Sequence, residues 1–282
     1  MQESTKPAGP FNEAVALKPI GDAAEGRFAG AAHPAWFNMV GPFGGITAAT
    51  ALNAVLQHPQ LLGTPVSLTV NYLSAVQDAP FEVTVVPART NRSTQHWTLA
   101  ISQAGEGGAS ELVLTGTAVT AARRETWGAT DVHLPEGVPP PDAAGPPLRF
   151  KGFEWLARYD LRIVHGLPPT TLDDSGTHSL TRLWLRDVPD RPLDALSITA
   201  MADAFYPRAW LRRARRVPAG TVSFTVYFHA SPAEYAATGT GWLLGQAQAQ
   251  RFASNFADQT VQLWNQAGVL LATSHQLAYY KE

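Results

Sequence analysis

The chain has 282 residues, 45% hydrophobic and 16% charged, the balance of a globular protein and not of a disordered one. With 21 Lys plus Arg against 23 Asp plus Glu, the formal net charge is −2, so no global basic field draws nucleic acid. The absence of cysteine excludes disulfides, cysteine-ligated metal, iron–sulfur clusters and thiol catalysis. Length alone predicts about two domains at roughly 150 residues each. No apolar run approaches the ~18 residues that a membrane span needs. Residues 1–10 are polar, without the apolar stretch of a signal peptide, so a cytoplasmic location is expected.

In chain order, Gly44 and Gly45 open ITAATALNAVLQ (46–57), Ala- and Leu-rich and helix-favouring. A turn at Gly63-Thr64-Pro65 leads into strands predicted at 66–73, 81–90, 95–103 and 111–120, rich in β-branched and aromatic residues. The segment LPEGVPPPDAAGPP (134–147) holds five prolines between 138 and 147 and reads as an extended spacer. It divides the chain into residues 1–133, a linker over 134–150, and residues 151–282. Beyond it an opening strand is predicted at 153–164. A helix follows at 193–206, with Leu193, Leu196, Met201 and Phe205 for its buried face. Further strands are predicted at 221–230, 241–252, 259–265 and 269–280, with a hairpin turn at Asn265-Gln266-Ala267-Gly268.

The halves share more than their order. ITA at 46–48 recurs at 198–200, an offset of 152, and VSLTV at 66–70 recurs as VSFTV at 222–226, an offset of 156. Shared order and near-constant offset point to an internal duplication, with a period far too long for a solenoid.

One helix followed by four or more antiparallel strands, in duplicate, resembles the hotdog fold, an α+β class in which a curved antiparallel sheet wraps a long helix. Two copies in one chain resemble a double-hotdog protein. HPAWFNMVGPFGGITAA (33–49), LDALSITAMADAF (193–205), GTVSFTVYFH (220–229) and GVLLATSHQLAYY (268–280) are similar to the acyl-CoA thioesterase II family and its thioesterase-like relatives. The resemblance runs from about Gly26 to the end of the chain. It implies a trio of Asp, Thr (or Ser) and Gln in the C-terminal copy, matched here by Asp203, Thr221 and Gln276, acting on a water. It also implies hydrolysis of an acyl thioester to free acid and coenzyme A, a place in fatty acid metabolism, acyl-CoA as the small-molecule partner, and no metal or organic cofactor.

The duplication tests this trio from within. Asp203 falls opposite Ala51, Thr221 opposite Pro65 and Gln276 opposite Ala118. A requirement of the fold should recur in both copies, whereas one-sided polar residues suit a single active site. The chemistry fits the residue types. A thiol with a pKa of about 8.5 leaves readily as thiolate, so the reaction needs a positioned water, a base and donors for the oxyanion. Gly44 and Gly45 permit close backbone approach at a helix start, where free amides polarise a carbonyl.

Blander readings stand beside these. Asp203 also fits a solvated helix position, Thr221 an ordinary strand threonine, Gln276 a surface-facing strand residue, and Gly44-Gly45 a close-packed helix start. Arg208, Arg212, Arg213, Arg215 and Arg216 follow the second helix. They complement a helix dipole at a solvated end or, through Arg212 and Arg213, clamp the phosphates of coenzyme A. Trp36, Phe37, Phe43 and Trp210 fit an acyl tunnel or plain core. His33 and His229 lack metal-like spacing. GxSxG, GxxxxGK[ST] and HExxH are absent. A non-catalytic acyl or acyl-CoA binding protein is the alternative function. A dehydratase would want an Asp/His pair, and no histidine is near Asp203 in sequence. Covalently joined pairs are complete alone or associate further into homo-oligomers.

Overall fold

The computed structural model describes residues 9–281; residues 1–8 and 282, and with them most of the polar N-terminal stretch 1–10, lie outside the described residues. The first half contains α1 (Pro10–Ala14), β1 (Lys18–Pro19), β2 (Arg27–Ala31), α2 (Gly44–Gln57), β3 (Thr64–Tyr72), β4 (Pro80–Thr90), β5 (Thr94–Ala104) and β6 (Ser110–Ala121). The second contains β7 (Tyr159–His165), β8 (Thr181–Asp187), α3 (Ala195–Met201), α4 (Arg208–Arg213), β9 (Ala219–Phe228), α5 (Pro232–Thr238), β10 (Leu243–Gln248), β11 (Phe252–Ala253), β12 (Phe256–Asn265) and β13 (Leu270–Tyr280).

The strands form one antiparallel sheet in the order β1-β2-β4-β5-β6-β3-β9-β13-β12-β10-β8-β7, with β11 attached to β12. Outward from the central pair β3–β9, both halves present the same succession. The register shows the duplication directly. Thr69 pairs with Thr225, its own copy at the 156 offset. On the flanking strands, Ala118 pairs with Leu68 as Gln276 pairs with Phe224, and both ladders slip by one residue at the same place. Gln276 is therefore the structural counterpart of Ala118, and Thr221 that of Pro65.

Eleven residues of α2 are buried, and a helix apolar on all sides belongs inside a core. Its buried polar side chains find partners. Thr50 Oγ1 donates to Ile46 O at 2.9 Å and Asn53 Nδ2 to Val15 O at 2.7 Å. Gly45 lets α2 lie against α3, because a Cβ at this position would sit 2.6 Å from the Ala200 carbonyl oxygen. The strands show period-two burial: Gln95, Trp97, Leu99, Ile101 and Gln103 of β5 all face inward.

The structure departs from the sequence reading in definite places. The helix predicted over 193–206 ends at Met201 and a second short helix starts at Arg208. Pro207 cannot continue an α-helix, so the chain turns between them. The strand predicted from 153 is a 3₁₀ turn, Glu154–Arg158, before β7 begins at Tyr159. Strand β8 and helix α5 were not anticipated. The hairpin at Asn265–Gly268 forms as expected, with Gly268 at φ 81 and Asn265 N donating to Val269 O at 3.0 Å. The Pro-rich segment lies along β7 and β8 and is no free tether. Its prolines donate no hydrogen bonds but their carbonyls accept them, from Trp184 Nε1 to Pro139 O at 2.8 Å and from the Arg162 guanidinium to Pro141 O at 3.1 Å. No helix among the described residues is long and apolar enough to cross a membrane.

Candidate active site

The early end of α3 creates the site. Ala202 caps its C-terminal end, and Ser274 Oγ on β13 donates to the Ala202 carbonyl at 3.3 Å, tying the turn to the sheet. Asp203 thus leaves the helix and points at the N-terminus of α2. An added Cβ on Gly44 would stand 3.0 Å from Asp203 Oδ2 and 3.3 Å from the Tyr72 hydroxyl. The Tyr72 hydroxyl donates to Gly44 O at 2.8 Å and clamps the helix start.

Asp203 is only 8% exposed. Burial pushes its carboxyl up to about 7, and the Gly45 backbone N–H pulls weakly the other way. Burial, and after it the nearby Asp203 carboxylate, raises the Tyr72 phenol well above its ordinary value and keeps it protonated. Tyr72 therefore serves as a fixed donor.

Asp203 opens onto a cavity of about 410 Å³. Thr221 at the start of β9, Gln276 on β13, and Gly44 border the same space. The trio read from the sequence converges here from three separate elements. The rest of the wall is mainly apolar, with Phe43, Phe150, Phe153, Trp155 and Trp210, but Asn38, Thr47 and Ser74 also border it. Phe43 and Trp155 stack at 4.3 Å between centroids. Trp36 is core instead, with its Nε1 donating to Pro10 O at 2.9 Å. Neither Phe37 nor any histidine borders the cavity among the described residues. Gly45 does not border it either; that glycine serves the contact between α2 and α3.

Arg212 and Arg213 lie away from the cavity walls. Arg212 donates to Gly176 O at 2.6 Å and Arg213 pairs with Asp174 at 2.8 Å. Arg208 is buried, donating to Tyr206 O, Ser179 O and Thr181 Oγ1, and burial lowers its guanidinium to about 10. Arg216 rests on the ring of the wall residue Phe150, 5.4 Å from its centroid. Sequence reasoning missed Tyr72 and the inner wall from 150 to 156. It also missed Gln259, a polar residue at an inward position of β12 between Ala257 and Val261, which the period-two pattern could have flagged.

Models of the acyl-CoA thioesterase N-terminal domain and C-terminal domain match residues 33–121 and 135–280. The chain belongs to the acyl-CoA thioesterase family. A hotdog-fold protein of unknown function from Alicyclobacillus acidocaldarius is 42% identical, with 98% of this chain and 99% of that one covered at a TM-score of 0.89. This chain therefore has the hotdog fold. An acyl-CoA thioesterase II from Mycobacterium marinum is 18% identical over 96% of this chain and 98% of its own, at a TM-score of 0.75. A TesB protein from Mycobacterium avium subsp. paratuberculosis is 17% identical over 96% and 98%, at 0.72. At these identities the last two show the fold alone. No curated protein matches the chain.

In this acyl-CoA thioesterase family member the duplication does not produce two equivalent sites. At the N-terminus of α3, the counterpart of the α2 N-terminus, Asp194 caps the helix by accepting from Ser197 N at 2.9 Å. Arg191 pairs with Asp194 at 2.6 Å, and Ser197 Oγ donates to Asp187 Oδ2 at 3.0 Å. Leu196 and Ser197 stand where Gly44 and Gly45 stand in α2, and both are buried. Side chains fill this second location, whereas glycine leaves the first one open.

Proposed function

We propose that the chain is an acyl-CoA thioesterase built as a tandem of two hotdog units, residues 1–133 and 151–282, joined by 134–150. The observation that carries this reading is the convergence of Asp203, Thr221, Gln276 and Gly44 on one apolar-walled cavity, with the Asp203 carboxyl raised to about 7. A base of that pKa is matched to neutral pH, where it is ionised in part and still basic enough to take a proton.

Thr221 and Gln276 hold a water against Asp203, which removes one of its protons as the oxygen attacks the thioester carbonyl. The amide at the start of α2, on the wall at Gly44, stabilises the oxyanion, aided by the helix dipole. Collapse of the tetrahedral intermediate breaks the C–S bond. The coenzyme A thiolate leaves, taking up the proton from Asp203, and the free acid remains. The apolar walls receive the acyl chain. Arg216, held on the wall residue Phe150, is the arginine we assign to a coenzyme A phosphate, since Arg212 and Arg213 are engaged with residues 174 and 176.

Thiol release from short, long and aromatic acyl-CoAs tests the reading, with wild type and Asp203→Ala assayed in parallel. Turnover that collapses in the variant supports it. Saturable acyl-CoA binding with no thiol release on any chain length would replace it with the binding-protein alternative.

A further inference from the structure

Behind the cavity wall, two neighbouring strands each bury a polar atom without a partner. Gln259 on β12 lies directly opposite Gln276 on β13. Both are buried, at 3% and 9% exposure. Gln259 Nε2, a donor, and Gln276 Oε1, an acceptor, have no hydrogen-bond partner among the described residues. Leaving such an atom unpaired is costly, because its hydration is lost and nothing replaces it. Both side chains line a chamber of about 20 Å³ bordered also by Arg208 and Asp258. That is room for a single water, which needs roughly 10–15 Å³.

The duplication supplies an independent argument. Across β5 and β6 the pair in the same register is Trp97 with Ala118. Trp97 is buried and its indole donates to Thr120 Oγ1 at 3.1 Å. The fold thus holds this position with an aromatic ring and a methyl group. Two facing glutamines occur only in the half that carries Asp203 and Thr221, the same one-sidedness that marks the trio.

We infer that Gln259 is a positioning residue. Through one water in the chamber its Nε2 holds Gln276 Oε1, and this turns the Gln276 amide nitrogen into the cavity. There the nitrogen donates to the oxygen of the hydrolytic water and leaves a lone pair for attack. The inference deepens the hydrolase reading and rests on it for the kinetic consequence.

Three variants and one structure test it. Gln259→Leu should lower kcat by about 10-fold or more, as a small misplacement near the chemistry does, with KM within a factor of two. In the Gln276→Ala background the same substitution should cost nothing further, because its route of action is gone. Gln259→Glu should be as slow as Gln259→Leu at alkaline pH, once its buried carboxyl has ionised and has no proton to donate. Its rate relative to wild type should recover as pH falls and the acid form becomes a donor. Additive losses in the double variant, or a pH-independent ratio, would overturn the inference, as either marks a merely structural role. A neutron structure of the wild type decides the geometry without turnover. One water bonded to both Gln259 Nε2 and Gln276 Oε1 is expected; a Gln276 oxygen on the cavity side would refute the assignment. If no acyl-CoA is hydrolysed while the bridge is present, the hydrolase reading fails and the orientation by Gln259 stands.

Discussion

The hydroxyls of Thr69 and Thr225 meet at 3.0 Å across the central strand pair, and each is the duplicate of the other. A pseudo-twofold relation passes between them. Everything that obeys it belongs to the fold, and what breaks it calls for another explanation. Asp203, Thr221, Gln276 and Gln259 break it together, opposite Ala51, Pro65, Ala118 and Trp97.

The first break sets a pH dependence. With a folded pKa of about 7 against roughly 3.9 unfolded, Asp203 binds its proton more tightly in the native state. Its stabilising contribution is complete below pH ~4 and is lost as pH rises through about 7. Asp203→Asn should therefore melt at a higher temperature than wild type at pH 8, and the difference should shrink steadily as pH falls toward 4. Thiol release in the same variant should drop about 10²–10⁴-fold, the range for loss of a general base. In the wild type kcat/KM should climb with pH through about 7. A flat profile between pH 6 and 8 would remove Asp203 from the base role.

The two glycines at the start of α2 should separate function from packing. A Cβ on Gly44 meets Asp203 Oδ2 and the Tyr72 hydroxyl, whereas one on Gly45 meets the Ala200 carbonyl oxygen and the Phe43 ring. Gly44→Ala should reduce thiol release while melting near the wild-type temperature. Gly45→Ala should destabilise by about 1–3 kcal/mol, the cost of overpacking, as seen in denaturant unfolding. Equal stability losses in the two variants would contradict this division.

Arg216 and Arg212 make opposite predictions. Arg216→Ala should raise KM for acyl-CoA about 10-fold, corresponding to ~1.4 kcal/mol of lost phosphate binding. It should leave KM for a short pantetheine thioester, which has no nucleotide phosphates, unchanged. Arg212→Ala should leave both constants alone. Steady-state kinetics with the two substrates check this, and a KM effect confined to Arg212→Ala would reverse the assignment.

Arg208 is a buried cation that bonds carbonyl and hydroxyl oxygens and, among the described residues, no carboxylate. Lysine has three donors on one nitrogen and cannot span Tyr206 O and Ser179 O as a planar fork does. Arg208→Lys should lose about 2–3 kcal/mol, since unpaired buried acceptors are costly. Urea unfolding gives the number, and a change below ~0.5 kcal/mol would deny this pinning role.

Much of the site could be read before the fold was seen, because duplication is a property of the sequence. Matching VSLTV to VSFTV placed Thr221 opposite Pro65, and the strand register agrees. The face of each strand was harder to assign. Along β13, Ser274 and Gln276 point inward, whereas Leu277 and Tyr279 are 40% and 38% exposed. Hydropathy would orient that strand the other way, and only its pairing with β9 and β12 fixes it. Gln259 escaped notice although its strand alternates correctly, because a lone glutamine on an apolar face shows no partner until the neighbouring strand is in place.

By itself, the sequence determined the helix and four following strands of the first half, the repetition of short motifs, and the confinement of Asp203, Thr221 and Gln276 to one copy. These rest on local preference and recurrence, which need no neighbours. The tertiary structure decided that α3 stops at Met201 and that Asp203 turns toward Gly44. It decided too that Arg212 and Arg213 bond to residues 174 and 176, and that two glutamines face each other behind the cavity. Each of these depends on what lies across the sheet or at the end of another helix, and contacts between distant segments exist only once the chain has packed.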